Sequence, residues 1–187
     1  GKPISFDVLM PDFPCQIDAA RNNIVNQALN IGCTHILFMD SDQIYSTDNM
    51  IEKMLAHDKP VLGARVHRRY PPFDPLLLLG EPGKLTQVKD EDIKNPDGTF
   101  KTELHVDYTG TGCIMYDMQI FNDMIPDRWF EFKTGKDGQA IGEDIWMCHK
   151  LKEKGIDIIV DTSIDIKHLT LLAADWSTYK LFQKIMK

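Results

Sequence analysis

The chain has 187 residues, 43% of them apolar and 26% charged, with a formal net charge of −7 at pH 7. That length fits one domain, or one domain with an excursion, able to bury a real core. The acidic balance argues against a nucleic-acid partner, whose phosphates want a basic face, but leaves room for a nucleotide whose charge a metal neutralises. Cys15, Cys33, Cys113 and Cys148 include no Cys-x-x-Cys pair, so neither a zinc knuckle nor a redox dithiol is signalled. Set among apolar neighbours, they read as buried free thiols, which suits a reducing, cytoplasmic setting. The longest aliphatic run, Leu76 to Leu79, is far too short to span a bilayer, and no signal peptide is visible.

In chain order, Ile4 to Met10 reads as a first strand, closed by Pro11 and Pro14. Ile17, Ala20, Ile24, Ala28 and Ile31 recur at helical spacing, and Gly32 stops that helix. His35 to Met39 is a short buried strand that delivers Asp40-Ser41-Asp42. Ser46 or Thr47 can cap a second helix, with Ile51, Met54 and Leu55 on its inner face. Pro60 to Val66 is another strand. From His67 to Thr102 the pattern breaks at Pro71, Pro72, Pro75, Pro82 and Pro96 and at Gly80, Gly83 and Gly98. A long irregular stretch of this kind is usually functional or mobile. We expect an excursion (residues 67–102) over the site, with a small hairpin at Asn95-Pro96-Asp97-Gly98.

Regular structure resumes at Glu103. Val106 to Tyr108 leads into Thr109-Gly110-Thr111-Gly112, then a strand at Cys113 to Tyr116 and a short helix at Asp117 to Met124. Trp129 to Phe132 is a strand candidate and Lys133 to Gln139 a polar loop. Gly142-Glu143-Asp144 opens a helix that runs through Lys154. Strands at Ile156 to Val160 and Ile164 to His168 follow, then a final helix from about Ala174 to Met186. The alternation favours an α/β fold in a single domain.

Four features can carry chemistry. Asp40-x-Asp42, just past a buried strand, offers oxygen ligands to Mg²⁺ or Mn²⁺ where open α/β sheets bind ligands, although acidic residues also fill ordinary turns. Glu143-Asp144 sits where a helix dipole favours carboxylates, either as caps or with Asp144 as a general base. His168 ends a strand, as a structural histidine or a metal ligand. Gly110-Thr111-Gly112 allows a tight turn or a close backbone approach to a ligand, but no Gly-Lys-Ser/Thr follows to make it a phosphate loop. Arg68, Arg69 and Tyr70 form either a solvated face or a mobile phosphate-contacting loop.

The order Ala20-Arg21-Asn22, Asp40-x-Asp42, Gly110-x-Gly112, Gly142-Glu143-Asp144 and His168 resembles the GT-A glycosyltransferases of the family 2-like group, over roughly residues 15 to 170. The resemblance implies a GT-A-like (Rossmann-like), mixed, mainly parallel sheet flanked by helices. It implies Mn²⁺ or Mg²⁺, a nucleotide-sugar donor and a carbohydrate or other hydroxyl acceptor. Asp42 would ligate the metal directly, Asp40 would contact the ribose or a metal-bound water, and His168 would give the third protein ligand. Arg21 and Ser41 would lie on the nucleotide side, and Gly110, Thr111 and Gly112 under the donor sugar and acceptor. Asp144 would be the base of an inverting transfer, with Glu143 beside it.

Such enzymes place many more residues before the Asp pair than the 39 found here. Ile4 to Met10 is then expected to be the second strand of the fold, with the base-binding first unit absent. The sheet edge so exposed is expected to pair with another copy. Two rival readings are a haloacid dehalogenase-like phosphatase, with Asp40 as nucleophile and Asp42 as acid/base beside Mg²⁺, and a non-catalytic module that binds metal and sugar without turnover.

Overall fold

The computed structural model describes residues 4–124, 128–135, 138–171 and 175–185. Its elements are α1 (Ile17–Asn30), β1 (His35–Met39), β2 (Gln43–Tyr45), α2 (Met50–Ala56), β3 (Val61–Val66), β4 (Leu77–Leu79), β5 (Thr86–Gln87), α3 (Asp90–Ile93), β6 (Leu104–Val106), β7 (Tyr108–Thr109), β8 (Cys113–Asp117), a π-turn (Ile120–Met124), β9 (Lys133–Thr134), β10 (Ala140–Ile141), α4 (Glu143–Glu153), β11 (Ile158–His168) and α5 (Trp176–Ile185).

Helix α1 turns Arg21, Val25 and Ala28 inward at i, i+4 and i+7, the spacing of one helix face. It ends at Gly32, whose φ of 71° suits only a residue without Cβ strain. There Gly32 N donates to Leu29 O and Cys33 N to Ala28 O, which satisfies two carbonyls of the last turn. The chain is thereby aimed straight into β1.

The central sheet has the order β1-β8-β3-β11-β2, with β6 also paired to β11. This is a mixed α/β fold, but the sheet is mainly antiparallel. Among the described residues only β3 and β11 pair in parallel, with Leu62 opposite Ile159 and Val66 opposite Ile166. The expectation of a mainly parallel sheet is thus corrected. Parallel neighbours need a long crossover. Strand β8 instead enters from the Gly110–Gly112 turn beside the end of β1 and runs back between β1 and β3. Strand β2 folds back directly after the Asp pair and runs against β11.

Apolar clusters cover both faces of the sheet. Val25, Ala28, Phe38, Tyr116, Phe121 and Phe130 lie in one. Met50, Met54, Leu62, Ala64, Ile164 and Ile166 lie in the other. All six residues of β3 are buried, as expected for a strand covered on both faces.

Several further expectations need correction. Ile4 to Met10 forms no strand; Phe6 is 75% and Val8 82% exposed. Residues 4–9 and β1, an edge strand among the described residues, instead line a common groove of about 600 Å³. Helix α2 begins at Met50, after Asn49, so neither Ser46 nor Thr47 caps it; the stretch just before them is spent on β2. Trp129 to Phe132 is not a strand. Trp129 packs edge-on against Phe121, and Phe130 against Phe38. The Lys133–Gln139 loop is bracketed by a β9–β10 pairing, with residues 136–137 outside the described residues.

The two late strands are one, β11, broken by a bulge between Asp161 and Asp165. The fully buried Asp161 there accepts bonds from Ser163 N and Oγ and faces His57 Nε2 at 3.0 Å. The excursion is more ordered than its composition implies, with β4 and β5 joining β7 in a three-stranded sheet. The turn at Asn95–Gly98 is present. Ala174 and Met186 lie outside the described residues, and α5 fills the interval between them. Cys113 and Cys148 are buried, Cys33 half-buried, and Cys15 exposed, contrary to a uniformly buried set. Among the described residues no helix is long and apolar enough to cross a membrane.

Candidate functional site

Strand β1 delivers the Asp pair, and the ladder continues one residue past it: Asp40 N donates to Gly112 O at 2.9 Å. Tyr45 secures the junction, because its hydroxyl lies 2.9 Å from Asp40 O and 3.1 Å from Gly112 O. Burial, reinforced by Cys113 and Asp40, pushes the Tyr45 phenol well above its ordinary pKa, so it remains a donor.

The Gly110–Gly112 turn connects the two carboxylate positions. A Cβ on Gly112 would lie 2.1 Å from Gln43 Nε2 and 3.1 Å from Asp40 Oδ2. A Cβ on Gly110 would lie 2.9 Å from Leu76 Cδ1 and 3.9 Å from Asp144 Oδ2. Gly112 is therefore set by close approach to the buried Gln43 side chain and Asp40, whereas at Gly110 the Leu76 side chain can give way. Thr111 between them is buried.

Arg21 is only 6% exposed and ties three elements together. Its Nη1 donates to Glu143 Oε1 at the start of α4, and its Nη2 lies 3.5 Å from Asp40 Oδ1. The neighbouring Asn22 exchanges two bonds with the Phe130 backbone, Nδ2 to O at 2.7 Å and N to Oδ1 at 3.0 Å. The Arg-Asn pair is thus a bracket that orients α1 against α4 and the Trp129–Phe132 segment. Glu143, placed at the sequence level beside the base, is held by Arg21 as a positioning residue.

Asp144 sits one residue on, with Oδ1 accepting from Ile145 N at 2.7 Å. Burial raises its pKa, opposed by that N–H bond and by Arg21. Glu143 is raised too, by burial and then by Asp144, against the pull of Arg21. A carboxylate with raised proton affinity suits general-base work.

The outer part of the site is Asp42, His168 and Arg69. Residues His168 and Gln43 are opposite each other in the β2–β11 ladder, and Leu169 N donates to Asp42 O. His168 Nδ1 lies 2.7 Å from His67 O, a carbonyl that can only accept, so Nδ1 carries a proton. In the neutral ring, Nε2 then turns its lone pair toward Asp42 Oδ1, 3.4 Å away. In that neutral form two acceptors face each other, an arrangement that a cation between them satisfies, whereas a protonated ring makes the same contact an ion pair with Asp42; in both, the His67 carbonyl orients the ring from behind. The other Asp42 oxygen accepts from Arg69 Nη1 at 2.8 Å.

The sequence-level residues therefore gather at one end of the sheet, but the Asp pair is divided. Asp42 faces His168, whereas Asp40 turns toward Arg21 and Gly112. Among the described residues no three His, Cys, Asp or Glu side chains form a ready cation cage. Asp42 and His168 fit a hard divalent cation that leaves positions for water and phosphate oxygens. Ser41 is exposed in the turn between them. Two residues went unnoticed in the sequence: Gln43 and Tyr45. Their signal was the period of two after the Asp pair, which puts both on one face of β2.

Comparison with known proteins gives three findings. The Anp1 family model matches residues 15–75, from α1 through β3 into the loop that carries Arg69. No curated protein matches the chain. The crystal structure of A197 from STIV is similar with a TM-score of 0.55 at 13% identity, over 82% of this chain and 68% of that one; the similarity is one of fold.

Proposed function

We propose that the chain is a metal-dependent glycosyltransferase that moves a sugar from a nucleotide-diphosphate donor to an acceptor hydroxyl. The observation that carries this reading is the 3.4 Å approach of Asp42 and His168, two groups able to ligate one cation, beyond the carboxyl end of β1, with Asp144 across a two-glycine turn. The Anp1 match, to a mannosyltransferase-related family, supports it. Mn²⁺ or Mg²⁺ held by Asp42 and His168 would supply Lewis-acid neutralisation of the leaving diphosphate.

The remaining work falls to the chain's own side chains. Asp144 accepts the proton of the acceptor hydroxyl as it attacks the anomeric carbon, and attack from the face opposite the leaving group inverts that carbon. Gly110 leaves room for the acceptor against Asp144. Arg21 fixes Asp40 and Glu143, so that Asp40 stays available to a ribose hydroxyl or a bound water.

The test is a thermal-shift series with UDP, GDP, CDP and dTDP, each with and without Mn²⁺, on the wild type and Asp42→Ala. Stabilisation that needs both Mn²⁺ and one nucleotide, and is lost in Asp42→Ala, is the expected result. No shift with any nucleotide in a folded sample overturns the reading. Binding without donor hydrolysis or transfer would leave a sugar-nucleotide-binding module.

A further inference from the structure

We propose that Arg69 is a resident counter-ion of the cation site, which exchanges Asp42 for the donor's diphosphate when a divalent cation binds. This rests on the reading above and adds a self-competition to it.

A guanidinium does not deprotonate in a protein, so a fixed positive charge lies against the carboxylate that would receive the metal. The two groups are unequally free. Asp42 is 38% exposed in its side chain and Arg69 61%. The Arg69 backbone is nonetheless anchored: its carbonyl accepts from Thr170 Oγ1 at 2.6 Å, just past His168. Arg68 N bonds to Asp74 O, which holds the loop on the other side. The main chain therefore keeps the arginine at the site while the side chain can turn. Neighbouring cations do not duplicate it. Arg68 Nη1 is spent on Tyr70 Oη, and Arg65 lies on Asp165 and over the Phe100 ring.

A divalent ion on Asp42 puts like charge within a few ångströms of this guanidinium, and an exposed ion pair yields easily to such a competitor. A released arginine tethered there meets one strong anion, the diphosphate that completes the metal's coordination. The planar fork of Arg matches phosphate oxygens in pairs. The same side chain thus opposes the bare cation and favours the cation–nucleotide complex. Loading becomes ordered: metal alone is held weakly, and metal with diphosphate tightly.

The experiment is calorimetry on the wild type, Arg69→Ala and Arg69→Lys, first with MnCl₂ alone and then with UDP and GDP at saturating Mn²⁺. Arg69→Ala is expected to tighten Mn²⁺ alone by up to about fivefold, the scale of an exposed ion pair. It is expected to weaken the nucleotide by about tenfold or more, the scale of a charge-assisted bond. Arg69→Lys should restore the opposition to Mn²⁺ and only part of the nucleotide affinity. Unchanged or weaker Mn²⁺ binding in Arg69→Ala, or unchanged nucleotide binding, overturns the exchange while the metal-site reading stands. Failure of all three folded proteins to bind Mn²⁺ overturns both. Arg69 is exposed, and a native circular-dichroism spectrum of Arg69→Ala separates binding effects from unfolding.

Discussion

The inner and outer parts of the site are built differently. The inner part, Arg21 with Glu143, Asp40, the Gly110–Gly112 turn and Tyr45, is packed and bonded from several elements at once. The outer part, Asp42 with His168 and Arg69, is half open, and its Arg69 contact is the kind that water and salt weaken. The difference teaches that one part is a frame and the other a set of side chains open to exchange. Substitutions should separate them: inner changes register first as stability, outer ones as binding.

Arg21→Ala breaks the frame most severely. It leaves the Glu143 carboxylate buried and unpaired, and should lose about 3–5 kcal/mol in urea unfolding. Arg21→Met with Glu143→Leu should recover much of that loss, because apolar replacement of both partners removes the buried charge. If Arg21→Ala unfolds like the wild type, the division between frame and exchangeable side chains is wrong.

Gly112→Ala comes next. Its Cβ meets the buried Gln43 amide, so an overpacking loss of about 1–3 kcal/mol is expected, together with a displaced Asp40. Gly110→Ala should lose less, since the Leu76 side chain that it meets can turn aside. Thermal melts of the two variants side by side, with and without Mn²⁺ and nucleotide, check the ranking.

Asp144→Asn gives the smallest change in stability, and of opposite sign. The folded-state pKa of Asp144 is raised above the ordinary 3.8, so ionisation is penalised only in the folded chain. Stability from this group is complete below 3.8 and falls as pH rises through the raised value. The asparagine variant escapes that fall. It should melt higher than the wild type at pH 7, with the gap closing in acid. Turnover should nevertheless drop about 10²- to 10⁴-fold with nucleotide affinity kept. A lower melting point across the whole pH range would count against the buried-base assignment.

Much of this site was legible because its signals are local. The apolar run into Asp40-x-Asp42, the two glycines and the acidic start of α4 announce themselves within a few residues. Strand direction was not legible, since it depends on which connection crosses the sheet and which turns back, and β8 turns back. The partner of Glu143 was equally hidden: Arg21 lies 122 positions away, and neither residue's neighbours point to the other. Ile4 to Met10 has the alternation of a strand, but alternation supplies a face and not a partner. The Asp42–Arg69 contact belongs to the same class, formed by a loop whose prolines and glycines suggested irregularity.

The free edge of β1 has a consequence for handling the molecule. Among the described residues β1 pairs on one side only, with β8, and the exposed Ile4, Phe6 and Val8 line the same groove as β1. Such an edge templates further strands, so concentrated samples should gain mass by strand addition. Val8→Lys should act as a gatekeeper, holding the light-scattering mass constant with concentration while Mn²⁺ and nucleotide titrations stay superimposable on the wild type. Colloidal behaviour and ligand chemistry would then be controlled from different parts of the same sheet.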